Sequence, residues 1–284
     1  MLHAASSDGV SVAIHELSGS AVHPIVLFAH ATGFHGHAYL PVAKDLAPRL
    51  HSYGIDFRGH GDTARPPGWT VSWDGYGDDA LAAAEAVAAL PGGEGGIVGF
   101  GHSMGGAGLL MAAAKHPGMF RALVLFEPIV FPTDRVRTPD APNPLRDGAR
   151  RRRPVFDSFE SAIANYASKP PMASFDPEAL DAYVRHGFRQ DGDHVRLKCD
   201  PETEAETFEN GGNHTTWDRL GGIEIPVDIV AGRADEMGPS AVAAQVAEQL
   251  PEGRYVPLPH LDHFGPMTSP AEIADLIAAA ATPA

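Results

Sequence analysis

The sequence predicts an α/β fold in which a mostly parallel sheet carries helices on both faces and a helical lid is inserted once. Three observations predict it. Short apolar runs alternate with helical stretches along most of the chain, the pattern of successive βα units. Two of those runs, Ile25-Val26-Leu27-Phe28-Ala29 and Ala122-Leu123-Val124-Leu125-Phe126, are apolar at every position, as strands covered on both faces are. The alternation then breaks off near Phe131 and resumes near Gly221, leaving a proline-rich stretch between.

Taken in order, Val10-Ser11-Val12-Ala13-Ile14-His15 alternates apolar and polar residues and reads as an edge or half-buried strand. Ile25 to Ala29 is the first fully covered strand, followed by a helix around Tyr39 to Leu50 and a strand ending at Tyr53-Gly54-Ile55-Asp56. Trp73 to Leu90 is rich in alanine with apolar residues at helical spacing, and Ile97-Val98 begins the next strand. A glycine-rich turn leads to a helix over Ala107 to Ala114, and Ala122 to Phe126 is again a strand. After the break, Pro226-Val227-Asp228-Ile229-Val230-Ala231 is a strand, and Pro239 opens a helix from its first position. Arg254-Tyr255-Val256-Pro257-Leu258 is the last strand and Pro270 to Ala281 the closing helix. The chain therefore divides into a core, residues 1–131 and 221–284, and a lid, 132–220, laid over the strand ends, where loops carry function.

A chain of 284 residues can bury a substantial core, as one large domain or two small ones. Its 21 basic against 36 acidic residues, a net charge of −15, argue against nucleic acid or an anionic membrane surface as partner. The one cysteine, Cys199, excludes an intramolecular disulfide and is compatible with a reducing compartment. No apolar run approaches the roughly 20 residues that cross a bilayer, and the first residues lack a basic segment followed by a long apolar one. The expectation is a cytoplasmic protein acting on a small molecule, with no nucleic acid or membrane partner; nothing in the sequence sets its oligomeric state.

The chemistry centres on Gly101-His102-Ser103-Met104-Gly105, a G-x-S-x-G pattern between a strand and a helix. In that setting the serine sits on a strained turn with its hydroxyl lifted out, and the Met104 N–H and the positive helix end face the space in front of it. A serine needs a base, and the base needs a group to orient it. Of 15 histidines, His263 has the right place, after the last strand and before the last helix, with His260 as competitor. Two carboxylates can orient it: Asp235, just past the strand 227–230, and Glu127, which ends the strand beside the serine turn. Asp235 is the favoured of the two. A second oxyanion donor is expected in the loop His30-Ala31-Thr32-Gly33-Phe34-His35-Gly36, from the Thr32 N–H, with His30 bonding within the loops and His35 and His37 exposed or, alternatively, lining the pocket.

These pieces together resemble the α/β-hydrolase superfamily, in its serine esterase and lactonase branch. The matching stretches are His30-Ala31-Thr32-Gly33-Phe34, Asp56-Phe57-Arg58-Gly59-His60-Gly61-Asp62, Gly101 to Gly106, Gly232-Arg233-Ala234-Asp235 and His263-Phe264-Gly265-Pro266. The departure is His30-Ala31 where His-Gly is usual. The resemblance implies an eight-stranded type of sheet and the triad Ser103, Asp235 and His263. It also keeps Glu127 open, since in fungal zearalenone lactonases the acid lies at the end of the strand after the elbow. It further implies that Asp56 to Gly61 is a structural turn and not a metal or acid–base site.

The leading expectation is a cofactor-free, metal-free hydrolase cleaving an ester or lactone of a small, largely apolar substrate through an acyl-enzyme. Alternatives on the same residues are C–C bond hydrolysis, an iminopeptidase or a perhydrolase, and, from another class, a ligand receptor with residual hydrolysis. Phe34, His102, Phe156 and Trp217 are candidate substrate-binding residues, with Phe159, Tyr166, Met172 and Phe188 as further apolar liners. Arg150-Arg151-Arg152-Arg153 reads as a solvated surface of the lid or, more sharply, as an anion-recognition site.

Overall fold

The computed structural model describes residues 1–133, 142–234 and 238–282. Eight strands make one sheet: β1 (Leu2–Ala5), β2 (Ser11–Ser18), β3 (Ile25–Ala29), β4 (His51–Asp56), β5 (Ile97–His102), β6 (Phe120–Phe126), β10 (Val227–Ala231) and β11 (Gly253–Pro257), ordered β1-β2-β4-β3-β5-β6-β10-β11. The first two pairings, β1 with β2 and β2 with β4, are antiparallel; every later one is parallel. A strand at Leu2–Ala5 adds to the sequence reading; it is short and mostly exposed, so it lacks the apolar run that marks the others.

Alternation along the covered strands decides which helices pack where. Ile25, Leu27 and Ala29 face the core shared with α2 (Trp73–Ala88), α3 (Met104–Lys115) and α8 (Ala243–Gln249). Val26 and Phe28 face the other core, shared with α1 (Leu40–Leu46) and α10 (Pro270–Ala281). β6 divides the same way, with Leu123 and Leu125 on one side and Val124 and Phe126 on the other. Each such side chain removed from water contributes about 1.5–3 kcal/mol, which is why runs without a polar residue belong in mid-sheet. Because the central strands run parallel, the C-terminal ends of β3, β5, β6 and β10 lie along one rim. Among the described residues, the candidate catalytic ones sit just past those ends or in the loop after β11.

Between β6 and β10 the chain leaves the sheet. This insert contains α4 (Pro144–Arg150), α5 (Phe159–Ala167), α6 (Pro177–Gly187) and α7 (Pro201–Glu209). It is not helical alone, as the sequence reading has it: β7 (Val155–Phe156), β8 (Phe188–Asp191) and β9 (His194–Leu197) form a small antiparallel sheet ordered β7-β9-β8. The Asp191-Gly192-Asp193-His194 turn, with Gly192 at φ +61°, is a hairpin signal that the scattered prolines obscure.

Candidate active site

Ser103 sits between β5 and α3 at φ 57°, ψ −113°, a conformation a non-glycine residue holds only when its surroundings force it. The constraint is visible: its N–H donates to Phe126 O at 2.9 Å, and its C=O accepts from Gly106 N–H at 3.1 Å and Ile129 N–H at 3.2 Å. Small residues let the turn close. A Cβ on Gly105 would lie 2.0 Å from Ala29 O, so α3 begins in direct contact with the end of β3. That contact places the serine turn against the loop after β3, and Thr32 Oγ1 reaches Met104 Sδ at 3.6 Å. The two candidate oxyanion residues are therefore neighbours.

The loop after β3 is braced by His30. Its Nδ1–H donates to Ala31 O at 2.8 Å, and its Nε2 accepts from Phe57 N–H at 3.0 Å. Complete burial, with His60 nearby, holds this imidazole well below its ordinary pKa, so it stays neutral. Phe34 N–H also donates to Ala31 O, at 3.0 Å. In a trans peptide the C=O and the following N–H point oppositely, so anchoring Ala31 O sets the direction of the Thr32 N–H.

Glu127 follows β6 at φ 47° and is 2% exposed. Its Oε1 accepts from Gly232 N–H at 2.9 Å and its Oε2 from His263 Nδ1–H at 2.6 Å. Among the described residues, Glu127, the second of the two candidate carboxylates, is the one bonded to His263 Nδ1, leaving Nε2 as the ring's remaining nitrogen. Asp235, the favoured acid of the sequence reading, lies outside the described residues. Its loop nonetheless contributes here, because Gly232 supplies the N–H that fixes the far oxygen of Glu127. His260 pairs with Glu272 at 2.9 Å on the exposed surface.

The model of the family described as serine aminopeptidase, S33, matches residues 20–263. The chain belongs to this family of α/β-hydrolases. Among curated relatives, this hydrolase is 24% identical over 247 residues to 2-(acetamidomethylene)succinate hydrolase of Mesorhizobium japonicum, covering 87% of this chain and 84% of the relative. Among solved structures it superposes on E-2-(acetamidomethylene)succinate hydrolase with a TM-score of 0.77 at 22% identity, covering 98% and 97% of the two chains. The enol-lactonase of Burkholderia xenovorans gives a TM-score of 0.69 at 17% identity, with 97% of each chain covered. At these identities the superpositions establish the fold.

The other expected residues of the hydrolase take up differing places. Phe34 is buried, with its ring 4.9 Å from Tyr183 and 6.3 Å from each of Phe175, Phe264 and His102. Phe175 from the insert and Phe264 beside His263 close this aromatic wall at 5.5 Å; Phe175, an isolated phenylalanine, carries no sequence pattern, and Phe264 stands out only as the neighbour of His263. His102 is fully buried with both nitrogens bonded, so it does not present itself to a substrate as the sequence reading has it. Phe156 packs inside the insert against Tyr166 and Phe188, and Trp217 is half-buried on the face shared with α2 and α3. His35 is buried and His37 half-buried, not exposed, because both pack under α6, where the His37 ring stacks on His186 at 3.9 Å.

The arginine run is not one uniformly solvated face. Arg150 pairs with Glu202 at the surface, while Arg153 lies 4.4 Å over the Phe156 ring. Arg152 turns inward: it pairs with Glu204 and donates to Tyr166 Oη at 3.0 Å and Tyr183 Oη at 2.6 Å. Tyr183 O–H in turn donates to Gly33 O at 3.2 Å, and a Cβ on Gly33 would lie 2.6 Å from Glu204 Oε1. The insert thus rests the largely buried Arg152–Glu204 ion pair directly on the loop after β3. Asp56 is likewise consumed by structure. Although His15, Asp56 and Asp62 lie within metal-ligand range, Asp56 accepts from Gly36 N–H, Asp62 N–H and His15 Nε2–H.

Proposed function

We propose that this protein is a serine hydrolase that cleaves carboxylic esters or lactones of small, largely apolar molecules, with Ser103, His263 and Glu127 as its triad. The observation that carries this reading is the 2.6 Å bond between Glu127 Oε2 and His263 Nδ1 beside the strained serine turn. With Nδ1–H held by the carboxylate, Nε2 is the free base. It takes the Ser103 proton as Oγ attacks the acyl carbon, and Glu127 stabilises the imidazolium that results. The N–H groups of Thr32 and Met104 hold the tetrahedral oxyanion, each such donor being worth about 10²–10³ in rate. Collapse expels the alkoxide, which takes the proton from Nε2. Water then attacks the acyl-enzyme with Nε2 again as base, releasing the acid and returning the proton to Ser103. The aromatic wall of Phe34, Phe175 and Phe264 supports an apolar acyl or alcohol portion. The segment 132–220 acts in this reading as the lid that shapes the pocket.

The test is a panel of short and long p-nitrophenyl esters, lactones and aminoacyl amides against wild type and Ser103→Ala. Multiple turnover on esters or lactones, lost in the folded variant, supports the proposal. Turnover confined to the amides overturns the bond class, and activity retained in Ser103→Ala overturns the nucleophile.

A further inference from the structure

His102 stands next to the nucleophile, carries an ionisable ring, and is used by none of the steps above. Its two nitrogens have different partners. Nε2 lies 2.8 Å from His263 O, a carbonyl that can only accept, so Nε2 carries the proton. Nδ1 lies 3.0 Å from Tyr39 Oη, and because the ring is neutral it accepts the tyrosine proton. Tyr39 Oη itself accepts from Ala31 N–H at 3.3 Å. The groups form one directional chain: Ala31 N–H to Tyr39, Tyr39 O–H to His102 Nδ1, His102 Nε2–H to the His263 carbonyl. It begins in the oxyanion loop, passes through the residue before Ser103, and ends on the backbone of His263. Tyr39 and His102 are both fully buried, so no water substitutes for a missing member.

We infer that His102 is a positioning residue, a tautomer-locked neutral imidazole that fixes the backbone of His263 and ties it to the oxyanion loop. Glu127 holds the His263 ring from one side, and His102 holds its main chain from the other. Neutrality matters as much as the bond. The His102 and His263 rings are 5.0 Å apart, so a charged His102 would oppose the imidazolium that His263 becomes when Ser103 attacks. Burial first, and then His263 itself, keep His102 well below its ordinary pKa. The inference rests on the proposed triad, which Ser103→Ala tests separately.

The experiment compares His102→Gln, His102→Leu and Tyr39→Phe with wild type on p-nitrophenyl butyrate. Gln places an amide N–H near the position of Nε2 and stays neutral, whereas Leu fills volume and donates nothing. Readouts are kcat and KM, the rate of Ser103 labelling by a fluorophosphonate, and circular dichroism. The expected result is a kcat and labelling rate about 10–100-fold lower in His102→Leu with KM within about threefold, since misplacement of one catalytic group costs on that order. His102→Gln retains both within about threefold, and Tyr39→Phe falls between. Wild-type labelling in His102→Leu overturns the inference, as does equal loss in the Gln and Leu variants. If His102→Leu does not fold, unchanged kcat in Tyr39→Phe, which cuts the chain at its middle, overturns it instead.

Discussion

Glu127→Gln isolates the carboxylate that the proposed mechanism depends on. The native side chain is a pure acceptor facing two donors, Gly232 N–H on Oε1 and His263 Nδ1–H on Oε2. A glutamine at the same place offers one oxygen and one NH₂. Whichever way the amide turns, one donor meets another donor inside a site where Glu127 is 2% exposed. Turned with NH₂ toward His263, it drives the ring to the Nε2–H tautomer, which cannot take the serine proton. Losing a charge-assisted bond costs about 1.5–3 kcal/mol, and an unmatched buried donor a further 1–3 kcal/mol. The sum, about 2.5–6 kcal/mol, corresponds to roughly 10²–10⁴ in kcat. The assay is steady-state hydrolysis of p-nitrophenyl butyrate at pH 8, with Asp235→Asn measured in parallel and folding verified by thermal melts. If Glu127→Gln stays within tenfold of wild type while Asp235→Asn drops beyond a hundredfold, the assignment of the acid is refuted.

Ser103→Ala is expected to abolish ester turnover with a melting temperature at or above that of wild type, because alanine removes the nucleophile and no hydrogen bond of the turn. Gly105→Ala, whose Cβ would sit 2.0 Å from Ala29 O, is expected to destabilise the fold by about 3 kcal/mol and to lower kcat, as read by urea unfolding and turnover. Arg152→Met leaves the buried Glu204 unpaired and is expected to cost about 3–5 kcal/mol, whereas the exposed Arg151→Ser changes the urea midpoint by no more than about 0.5 kcal/mol equivalent. Stability also depends on pH through His35, which burial lowers to about 4. Between the ordinary value and about 4 the unfolded chain binds a proton that the folded one does not, so stability is full above pH 6.5 and falls as pH drops through this window, by about 3 kcal/mol at most for this group. Urea midpoints from pH 7.5 to 5 are expected to decline less steeply in His35→Gln; parallel curves would refute this.

What the sequence made legible follows from how local each signal is. The covered strands and Ser103 are written in runs of a few residues, where apolar content and glycine spacing answer to local geometry alone. The choice between Asp235 and Glu127 is not of that kind. Glu127 directly follows β6, Asp235 comes in the sequence a few residues after β10, which pairs with β6, and which carboxylate can reach His263 depends on how the backbone turns after each strand. At Glu127 that turn is a positive φ, and no composition rule predicts it in a glutamate followed by proline. The arginine run fails as a sequence signal for a related reason. Four identical residues receive four different environments, because Glu202, Glu204, Phe156 and Tyr183 come from other elements. Nothing local to His35 and His37 announces that α6 packs over them.

The contact of Tyr183 and Glu204 with Gly33 bears on how such an enzyme can be altered. Inserts of this kind are tempting cassettes, since they enter and leave the sheet at one rim and vary more than the scaffold beneath. Under the proposed mechanism the cassette carries part of the support for the electrophilic end of the reaction. A graft bringing a new pocket without a hydroxyl over Gly33 and a compensated charge behind it would exchange selectivity for rate. A graft keeping Arg152, Tyr183 and Glu204 while varying Phe175 and its neighbours would leave the machinery supported and change only what it is offered.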